Sequence, residues 1–244
     1  MQPLVPVQRD LVLVGGGHSH ALALRMLAMR PLAGLRITLI SPASHTPYSG
    51  MLPGLVAGHY RFEETHIDLA RLCQWAGVRF VTAEVTGLDA SGRCLSLAGR
   101  PTMRYDLLSI DIGSEPELDP VPGAREHAVP VKPVAGLWRR WQALEERLDR
   151  ADAAQRVAVV GGGAGSVELA LAMAHRLHGR DVHISLFCGA PEILQNYNRR
   201  ARAAVMSALD AAGVQVHLDN RVESVAAGRL ALAAGGEASF DELF

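Results

Sequence analysis

Two runs of three glycines are the residues of this chain whose type and spacing could do chemistry. They are residues 15–17 and residues 161–163, and each comes directly after a short apolar run and directly before a stretch rich in helix formers. A glycine turn between a buried parallel strand and a helix lets a phosphate approach the backbone at the positive end of the helix. The pattern is therefore typical of dinucleotide binding.

Both copies depart from the pattern G-x-G-x-x-G at its third glycine. His20 stands there in the first copy and Ser166 in the second. One imperfect copy is weak evidence, because a glycine turn can also join a strand to a helix without any ligand. Two copies on one chain, each followed by another strand candidate, favour dinucleotide binding by at least one of them.

The composition is that of an ordinary globular protein. With 244 residues, 49% of them hydrophobic, the chain can form one large or two small cores. A formal net charge of −1 and scattered arginines predict no nucleic-acid partner. No apolar run reaches the roughly 20 residues of a transmembrane segment, so we expect a cytoplasmic protein. Cys73, Cys94 and Cys188 lack metal or disulfide spacing, which predicts reduced packing residues and no metal site.

Hydrophobic periodicity predicts the elements that position the first glycine turn. A helix from residue 18 should end before Pro31, because proline cannot continue it. Further elements are a strand over 35–40, a helix over 68–77, a strand over 78–85 and a strand within 105–114. Residues 44–60 are rich in Pro and Gly yet apolar, which indicates either a packed connection or a wall over a flat aromatic cofactor.

The second glycine turn is flanked by a similar set of elements. Residues 115–133, with five prolines, are interpreted as a linker. The predicted elements that follow are an amphipathic helix carrying Leu137, Trp141, Leu144 and Leu148, a strand over 182–188, a helix with Ala201, Val205, Ala208 and Ala212 on its apolar face, a strand over 214–218 and a final hairpin. This divides the chain into a unit over 1–125, a connection over 126–149 and a unit over 150–244.

These segments, in this order, resemble the pyridine nucleotide-disulfide oxidoreductase superfamily, whose members bind two dinucleotides. The matching residues are both glycine turns, Ala83-Glu84-Val85, Tyr105-Asp106-Leu107-Leu108 running to Gly113-Ser114, and Pro122-Gly123. The stretches Gly-Gly-Gly-His-Ser-His and His-Thr-Pro-Tyr-Ser-Gly-Met-Leu-Pro-Gly look most like the NADH dehydrogenase-like branch fused to selenide, water dikinase. They are also similar to quinone-reducing NADH dehydrogenases and sulfide:quinone oxidoreductases. The implied fold is α/β, with two doubly wound Rossmann-like units in three layers, β/β/α.

The resemblance implies that the first unit binds FAD and the second a nicotinamide cofactor. The implied FAD contacts are Gly15, Gly17, His18 and Ser19 at the pyrophosphate, Ser41 at the ribose, Val85 at the adenine, and Thr46, Pro47, Tyr48, Ser49, Met51 and Gly113 nearer the flavin. The implied NAD(P)H contacts are Gly161, Gly163, Ala164, Gly165, Ser166 and Glu168. For Glu168 the alternative is a helix first-turn carboxylate that the helix dipole favours. The usual Ala-Thr-Gly reads Asp111-Ile112-Gly113 here.

The implied activity is hydride transfer from NAD(P)H to FAD and on to a small-molecule acceptor, which is a quinone, oxygen or an oxidised selenium or sulfur species. The cofactor carries this chemistry, so no catalytic side chain is assigned. No C-x-x-x-x-C follows the first βαβ unit, and Ser49 stands where single-cysteine relatives carry a thiol, so a thiol relay is not expected. A non-catalytic nucleotide-binding or regulatory module is the alternative, since the third glycines are missing.

The ribose position of each unit lacks the acidic residue that usually accepts the ribose hydroxyls. Ser41 stands there in the first unit and Cys188 in the second. We therefore expect weak discrimination between NADH and NADPH, with a slight preference for NADH. A preference above about a hundredfold needs roughly 3 kcal/mol and would require residues elsewhere, such as Arg199 or Arg200.

The resemblance also implies an architecture that continues beyond residue 244. In the family the chain returns to complete the FAD sheet, so we expect weak FAD retention and an unpaired sheet edge. Such an edge favours self-association into a dimer or larger species. A functional link to selenide, water dikinase and a location in the cytoplasm or peripheral to a membrane are further expectations from the resemblance.

Overall fold

The computed structural model describes residues 6–150 and 153–244. The strands are β1 (Arg9–Val14), β2 (Leu35–Ser41), β3 (His45–Pro47), β4 (His66–Asp68), β5 (Arg79–Thr82), β6 (Val85–Asp89), β7 (Cys94–Leu97), β8 (Arg100–Arg104), β9 (Leu107–Ile110), β10 (Gln155–Val160), β11 (Val182–Phe187), β12 (Gln215–His217), β13 (Val222–Ala226), β14 (Arg229–Leu232), β15 (Glu237–Ser239) and β16 (Glu242–Leu243). The helices are α1 (His18–Met29), α2 (Leu52–Val56), α3 (Phe62–Thr65), α4 (Leu69–Ala76), α5 (Ala124–His127), α6 (Val134–Leu148), α7 (Ala164–Arg176) and α8 (Arg199–Ala211). In the described part of the chain no helix has the length and apolar character needed to cross a membrane.

The chain forms two compact units. The first ends at Tyr48 and resumes over Phe62–Ser114, and the second comprises Ser49–Arg61 and Glu115–Phe244. Each contains a four-stranded parallel sheet, in the order β5-β2-β1-β9 in the first unit and β12-β11-β10-β16 in the second. In chain order both sheets run third, second, first, fourth, which is the doubly wound arrangement that the sequence predicts.

Strand alternation divides the first unit into three layers. Side chains of successive strand residues point to opposite faces, so Val12 and Leu13 enter different cores. Val12 packs with Leu95 and Leu97 of the antiparallel sheet β6-β7-β8 on one face. Leu13 packs with Leu24 of α1 and Leu69 of α4 on the other face. The predicted β/β/α layering is confirmed for this unit.

The second unit repeats this layering. Val157 and Val159 of β10 face a core that includes Leu137, Trp141 and Leu144 of α6, as their helical spacing predicts. Ala158 faces the opposite core, under the antiparallel sheet β13-β14-β15. The predicted final hairpin is present as β13 and β14, and the last residues also form β15, which pairs with β14, and β16, which pairs with β10.

The ends of α4 follow local capping chemistry. Asp68 caps α4 by accepting a hydrogen bond from the Arg71 N–H at 2.9 Å, and Gly77 ends that helix at φ +65°. The strand predicted over 78–85 is wrong as a single element. It breaks after Thr82, and the chain leaves the parallel sheet to begin β6 in the antiparallel layer.

The segment between the units is packed rather than free. Leu118 and Val121 contact the core beneath β13 and β14, and Ala124 of α5 is buried in it. The interpretation of 115–133 as a plain linker is therefore corrected. The apolar face assigned to α8 is also displaced, because Leu209 is its buried residue, with Val205 and Met206 beside it, while Ala208 is exposed. Val205 and Met206 lie four and three residues before Leu209, so these three residues share the face of α8 that meets the core.

Candidate functional site

The C-terminal ends of β1 and β9 form the switch point of the first parallel sheet, where the strand order reverses. The glycine turn leaves β1 at this edge. Gly15 has φ +92°, a conformation that favours glycine, and its N–H donates to the Ile40 carbonyl of β2 at 2.8 Å. Doubly wound folds bind ligands in the crevice at such a point.

Asp111, the residue after β9, lies against the glycine turn. Its backbone carbonyl accepts a hydrogen bond from the Gly17 N–H at 3.1 Å, and its carboxylate accepts one from the His20 N–H at 3.2 Å. A Cβ on Gly15 would overlap the Asp111 carbonyl, and a Cβ on Gly17 would overlap the Asp111 carboxylate. The contact therefore requires both glycines, and it puts an internal anion at the positive end of α1.

His20 occupies the position of the missing third glycine and is buried. Its Nδ1 lies 2.7 Å from the Gly15 carbonyl, which can only accept, so Nδ1 carries the proton. In the neutral ring, Nε2 then accepts from the Ser109 hydroxyl at 2.8 Å. His20 thus ties the glycine turn and α1 to β9, where a third glycine would instead allow direct helix–strand packing.

The first turn of α1 keeps donors that no described residue satisfies. The backbone N–H groups of His18 and Ser19 have no hydrogen-bond partner in the described ranges, and Gly17 supplies no side-chain cap. The His18 ring packs edge-on against Tyr48, with centroids 4.7 Å apart, and its buried Nε2 has no partner among those residues. These groups could donate hydrogen bonds to a phosphate.

The remaining predicted residues of the first unit lie in several elements. Ser41 is the last residue of β2 and is buried, and Val85 is the first residue of β6. Thr46 and Pro47 lie in β3, which pairs with β4. Gly113 has φ +78°.

The segment over 44–60 is only partly a loop. It contains β3, a 3₁₀ turn at Ser49–Met51 and the helix α2, and from Ser49 onward it belongs to the second unit. Leu52, Leu55 and Val56 are buried in that unit's core with residues of α7. A packed connection therefore describes residues 52–57, whereas Ser49 is exposed and Met51 is half-buried.

The second glycine turn has the same form as the first. Gly161 has φ +134°, its N–H donates to the Phe187 carbonyl at 2.8 Å, and a Cβ on it would overlap the Ser166 side chain. The N–H groups that open α7, from Ala164 to Ser166, have no partner among the described residues. A Cβ on Gly163 or Gly165 would meet no described atom within 4 Å.

Glu168 is exposed on the second turn of α7. The alternative that it is a first-turn carboxylate is wrong, because α7 begins at Ala164 and its first turn carries no acidic residue. The dipole effect is confined to the first turn, so it gives no reason for a carboxylate here. The Glu168 carboxylate has no partner within the described ranges.

The three cysteines are free and are not arranged for a relay. Cys73 lies in the helix-side core of the first unit, and burial raises the pKa of its thiol to about 11. Cys188 is 2% exposed, its sulfur fills the space beside Gly162, and its thiol points to the Glu192 carbonyl at 3.7 Å. Cys94 is half-buried in β7. A buried thiol at the Cys188 position is not available to a ribose hydroxyl.

Both glycine turns fit the pyrophosphate of a dinucleotide in their chemistry. Each offers unpartnered N–H groups at the first turn of a helix that follows a parallel strand at a switch point. In the first unit the Asp111 carboxylate lies where a side chain on Gly17 would be, beside the N-terminus of α1. An approaching phosphate would meet that like charge.

Comparison with known proteins agrees with this geometry. Residues 9–241 match the family described as pyridine nucleotide-disulphide oxidoreductase. The chain belongs to this family. One similar protein is the demethylphylloquinone reductase NdbB of a Synechocystis strain, which is 28% identical over 87% of this chain and 53% of that protein. Another is the alternative NAD(P)H-ubiquinone oxidoreductase C1 of Arabidopsis thaliana, which is 28% identical over 86% of this chain and 43% of that protein. The chain thus spans about half the length of these oxidoreductases.

Solved structures show the same fold. The structure of NDH2 from Plasmodium falciparum in complex with NADH superimposes with a TM-score of 0.85 over 97% of this chain and 54% of that chain, at 16% identity. In the sequence Asp111 is a departure from the family's Ala-Thr-Gly, but the sequence does not predict its contact with Gly17. Only its place directly after an apolar strand and two residues before Gly113 could have signalled that contact.

Proposed function

We propose that the protein is an FAD-dependent NAD(P)H oxidoreductase that reduces a quinone. The observation that carries this proposal is the repetition, in two units of one chain, of a glycine turn with unpartnered N–H groups at a sheet switch point. Family membership and two relatives named as reductases of quinones support it.

In the first unit we assign the FAD pyrophosphate to the N-terminus of α1. The N–H groups of His18 and Ser19 would bind its oxygens, and the His18 ring, held by Tyr48, would offer Nε2 as a further donor. His20 keeps this turn in place through Gly15 and Ser109. Ser41, Val85, Thr46, Pro47, Gly113, Ser49 and Met51 remain proposed contacts. Bound FAD would supply the two-electron chemistry that no side chain provides.

In the second unit we assign NAD(P)H to the N-terminus of α7. The N–H groups of Ala164, Gly165 and Ser166 would bind its pyrophosphate, beside Gly161 and Gly163. The unpartnered carboxylate of Glu168 would contact the nicotinamide half. Its partners there would be the N–H and O–H groups of the amide and ribose, from which a carboxylate can accept hydrogen bonds.

The cysteines bear on which electron acceptor the protein can use. The three cysteines are free: Cys73 is buried with a raised pKa, Cys188 is buried against Gly162, and Cys94 lies in β7 of the antiparallel sheet rather than at the glycine turn, so we propose no thiol relay to a disulfide substrate. Electrons would therefore leave the flavin directly for a small acceptor. A quinone accepts two electrons and two protons and needs no protein thiol.

The test is an anaerobic absorbance experiment on the purified chain mixed with FAD. We expect a yellow complex whose flavin band is bleached by NADH or NADPH and restored by a soluble quinone. Gly17→Val, shown to be folded by circular dichroism, should lose FAD binding, because its side chain displaces the Asp111 carboxylate and occupies the approach of the phosphate. Gly163→Val should keep the flavin and slow its bleaching. A folded chain that never takes up FAD would contradict the proposal and favour the non-catalytic module.

An oxidised selenium species is the second acceptor that we propose to test. The motifs over residues 15–20 and 45–54, which resemble the branch fused to selenide, water dikinase, favour it. Deletion of the gene should then lower selenophosphate-dependent products. Unchanged products together with impaired quinone reduction would leave the quinone as the acceptor.

We also propose that the chain self-associates through β9. This strand is at the edge of its sheet, and Leu107, Ile110 and the following Ile112 are 45%, 53% and 72% exposed. An exposed apolar edge can pair with a second chain. Light scattering after gel filtration should give a dimer or larger species, and Ile110→Lys should shift it to monomer. A monomeric parent chain would contradict this.

A further inference from the structure

The end of β11 carries no side chain that could accept hydrogen bonds from the adenosine ribose of NADH. Cys188 stands where an acidic residue is expected, and it is buried with its sulfur against Gly162. The next residue is Gly189, which has no side chain. The nearest carboxylate along the chain, Glu192, is ion-paired with Arg202. A neutral 2′-hydroxyl would therefore find no carboxylate from β11 or the turn after it.

A second loop is bound to this position. Residues 219–221 follow β12 and hydrogen-bond to the turn after β11: the Asn220 N–H donates to the Cys188 carbonyl, and the Asp219 N–H donates to the Ala190 carbonyl, both at 3.0 Å. These backbone bonds hold the two loops in a fixed register. The side chains of residues 219 and 221 are thereby brought to the ribose end of the unit.

Arg221 packs against the turn at Gly189. A Cβ built on Gly189 would lie 3.1 Å from the Arg221 Cβ and 3.5 Å from its Cγ. The stem of Arg221 thus packs closely beside the position that a side chain following the ribose position would take. In dinucleotide-binding folds an arginine near this position accommodates the 2′-phosphate of NADP.

The guanidinium of Arg221 is free to bind an anion. Arg221 is exposed and makes no ion pair or hydrogen bond through its side chain with any residue of the described ranges. Arg202 nearby is already neutralised by Glu192. Asp219 is the one competing charge on the same loop, and it is exposed. A carboxylate there would favour a ribose hydroxyl over a phosphate. Asp219 would therefore favour NADH, whereas Arg221 would favour NADPH.

We propose that Arg221 selects NADPH over NADH by binding the 2′-phosphate of the adenosine ribose. This rests on the proposed binding of a nicotinamide cofactor by the second unit. A planar guanidinium forms paired, charge-assisted hydrogen bonds with a phosphate. Arg221, packed against Gly189, therefore reverses the slight preference for NADH that we expect from the absence of an acidic residue at the end of β11.

The experiment is calorimetric binding of 2′-phospho-ADP-ribose and ADP-ribose to the purified full chain. We expect the parent to bind the phosphorylated nucleotide about 10- to 100-fold more tightly, the range of one or two charge-assisted hydrogen bonds. Arg221→Ala should remove most of that difference and change ADP-ribose affinity less than about threefold, and Arg221→Lys should keep part of it. Raising the salt concentration should weaken only the phosphorylated ligand.

The matched controls are Arg200→Ala and Asp219→Asn. Arg200 is another exposed arginine of the same unit, and its loss should leave the ratio unchanged. The proposal is overturned if Arg200→Ala, but not Arg221→Ala, lowers the ratio, or if ADP-ribose binds better and Asp219→Asn abolishes that preference. If neither nucleotide binds to a chain that is folded by circular dichroism, the proposed function itself fails.

Discussion

The contact between Gly17 and Asp111 predicts how Gly17→Ala changes the free energy of unfolding, which can be measured without any ligand. Gly17 has φ −63° and ψ 170°, which any residue can adopt, so an alanine there meets no backbone strain. Its methyl group would nevertheless lie closer than 3.0 Å to three atoms of the Asp111 carboxyl group. The carboxylate must then leave the α1 N-terminus and lose its hydrogen bond from the His20 N–H.

The expected size follows from these two effects. Forcing a methyl into an occupied space costs about 1–3 kcal/mol, and losing a capping carboxylate costs about 0.5–2 kcal/mol. Since moving the carboxylate relieves the overlap, the two are alternatives rather than a sum. We expect Gly17→Ala to lower the free energy of unfolding of the first unit by about 1–2 kcal/mol. Asp111→Ala alone should cost about 1 kcal/mol.

The assay is a double-mutant cycle from urea unfolding followed by circular dichroism. The double variant Gly17→Ala/Asp111→Ala should be no less stable than Asp111→Ala, because the methyl then has space. Gly163→Ala is the matched control: it has the same motif position, φ −83° and no described atom within 4 Å, so its unfolding free energy should change by less than about 0.5 kcal/mol. Strictly additive effects of Gly17→Ala and Asp111→Ala would refute the contact.

Three further predictions follow from the buried and charged groups. His20→Ala should destabilise the first unit by about 1–3 kcal/mol in the same unfolding assay, because the buried Gly15 carbonyl and the Ser109 hydroxyl both lose their bonds to the ring, and a neutral effect would contradict that linkage. The Arg156 guanidinium holds the pKa of Asp241 below its usual 3.8, so stability should fall as the pH drops below that value, and Asp241→Asn should flatten this acid dependence. A thiol reagent at pH 8 should label Cys94 much faster than Cys73, whose raised pKa keeps it protonated, and rapid labelling of Cys73 would contradict its burial.

Much of the fold could be predicted because its signals are local. The apolar strand, glycine turn and helix over residues 9–29 lie next to each other in the chain, and so do the capping residues Asp68 and Gly77. The amphipathic spacing of α6 likewise predicts its buried face. Errors occurred where an element changes layer, as after Thr82, because an apolar run looks the same whether or not the chain moves to another sheet.

The sequence by itself determined that two strand–glycine–helix turns exist, that their third glycines are His20 and Ser166, and that neither ribose position carries an acid. Tertiary structure decided what those departures mean. His20 is a buried link to Ser109 across 89 positions, Asp111 reaches the α1 N-terminus, and Arg221 fills the space beside Gly189. Such contacts join residues that are distant in the chain, and their chemistry depends on which strands are neighbours and in what register. Residue types and local spacing do not contain that information, because register is set by the packing of the whole sheet.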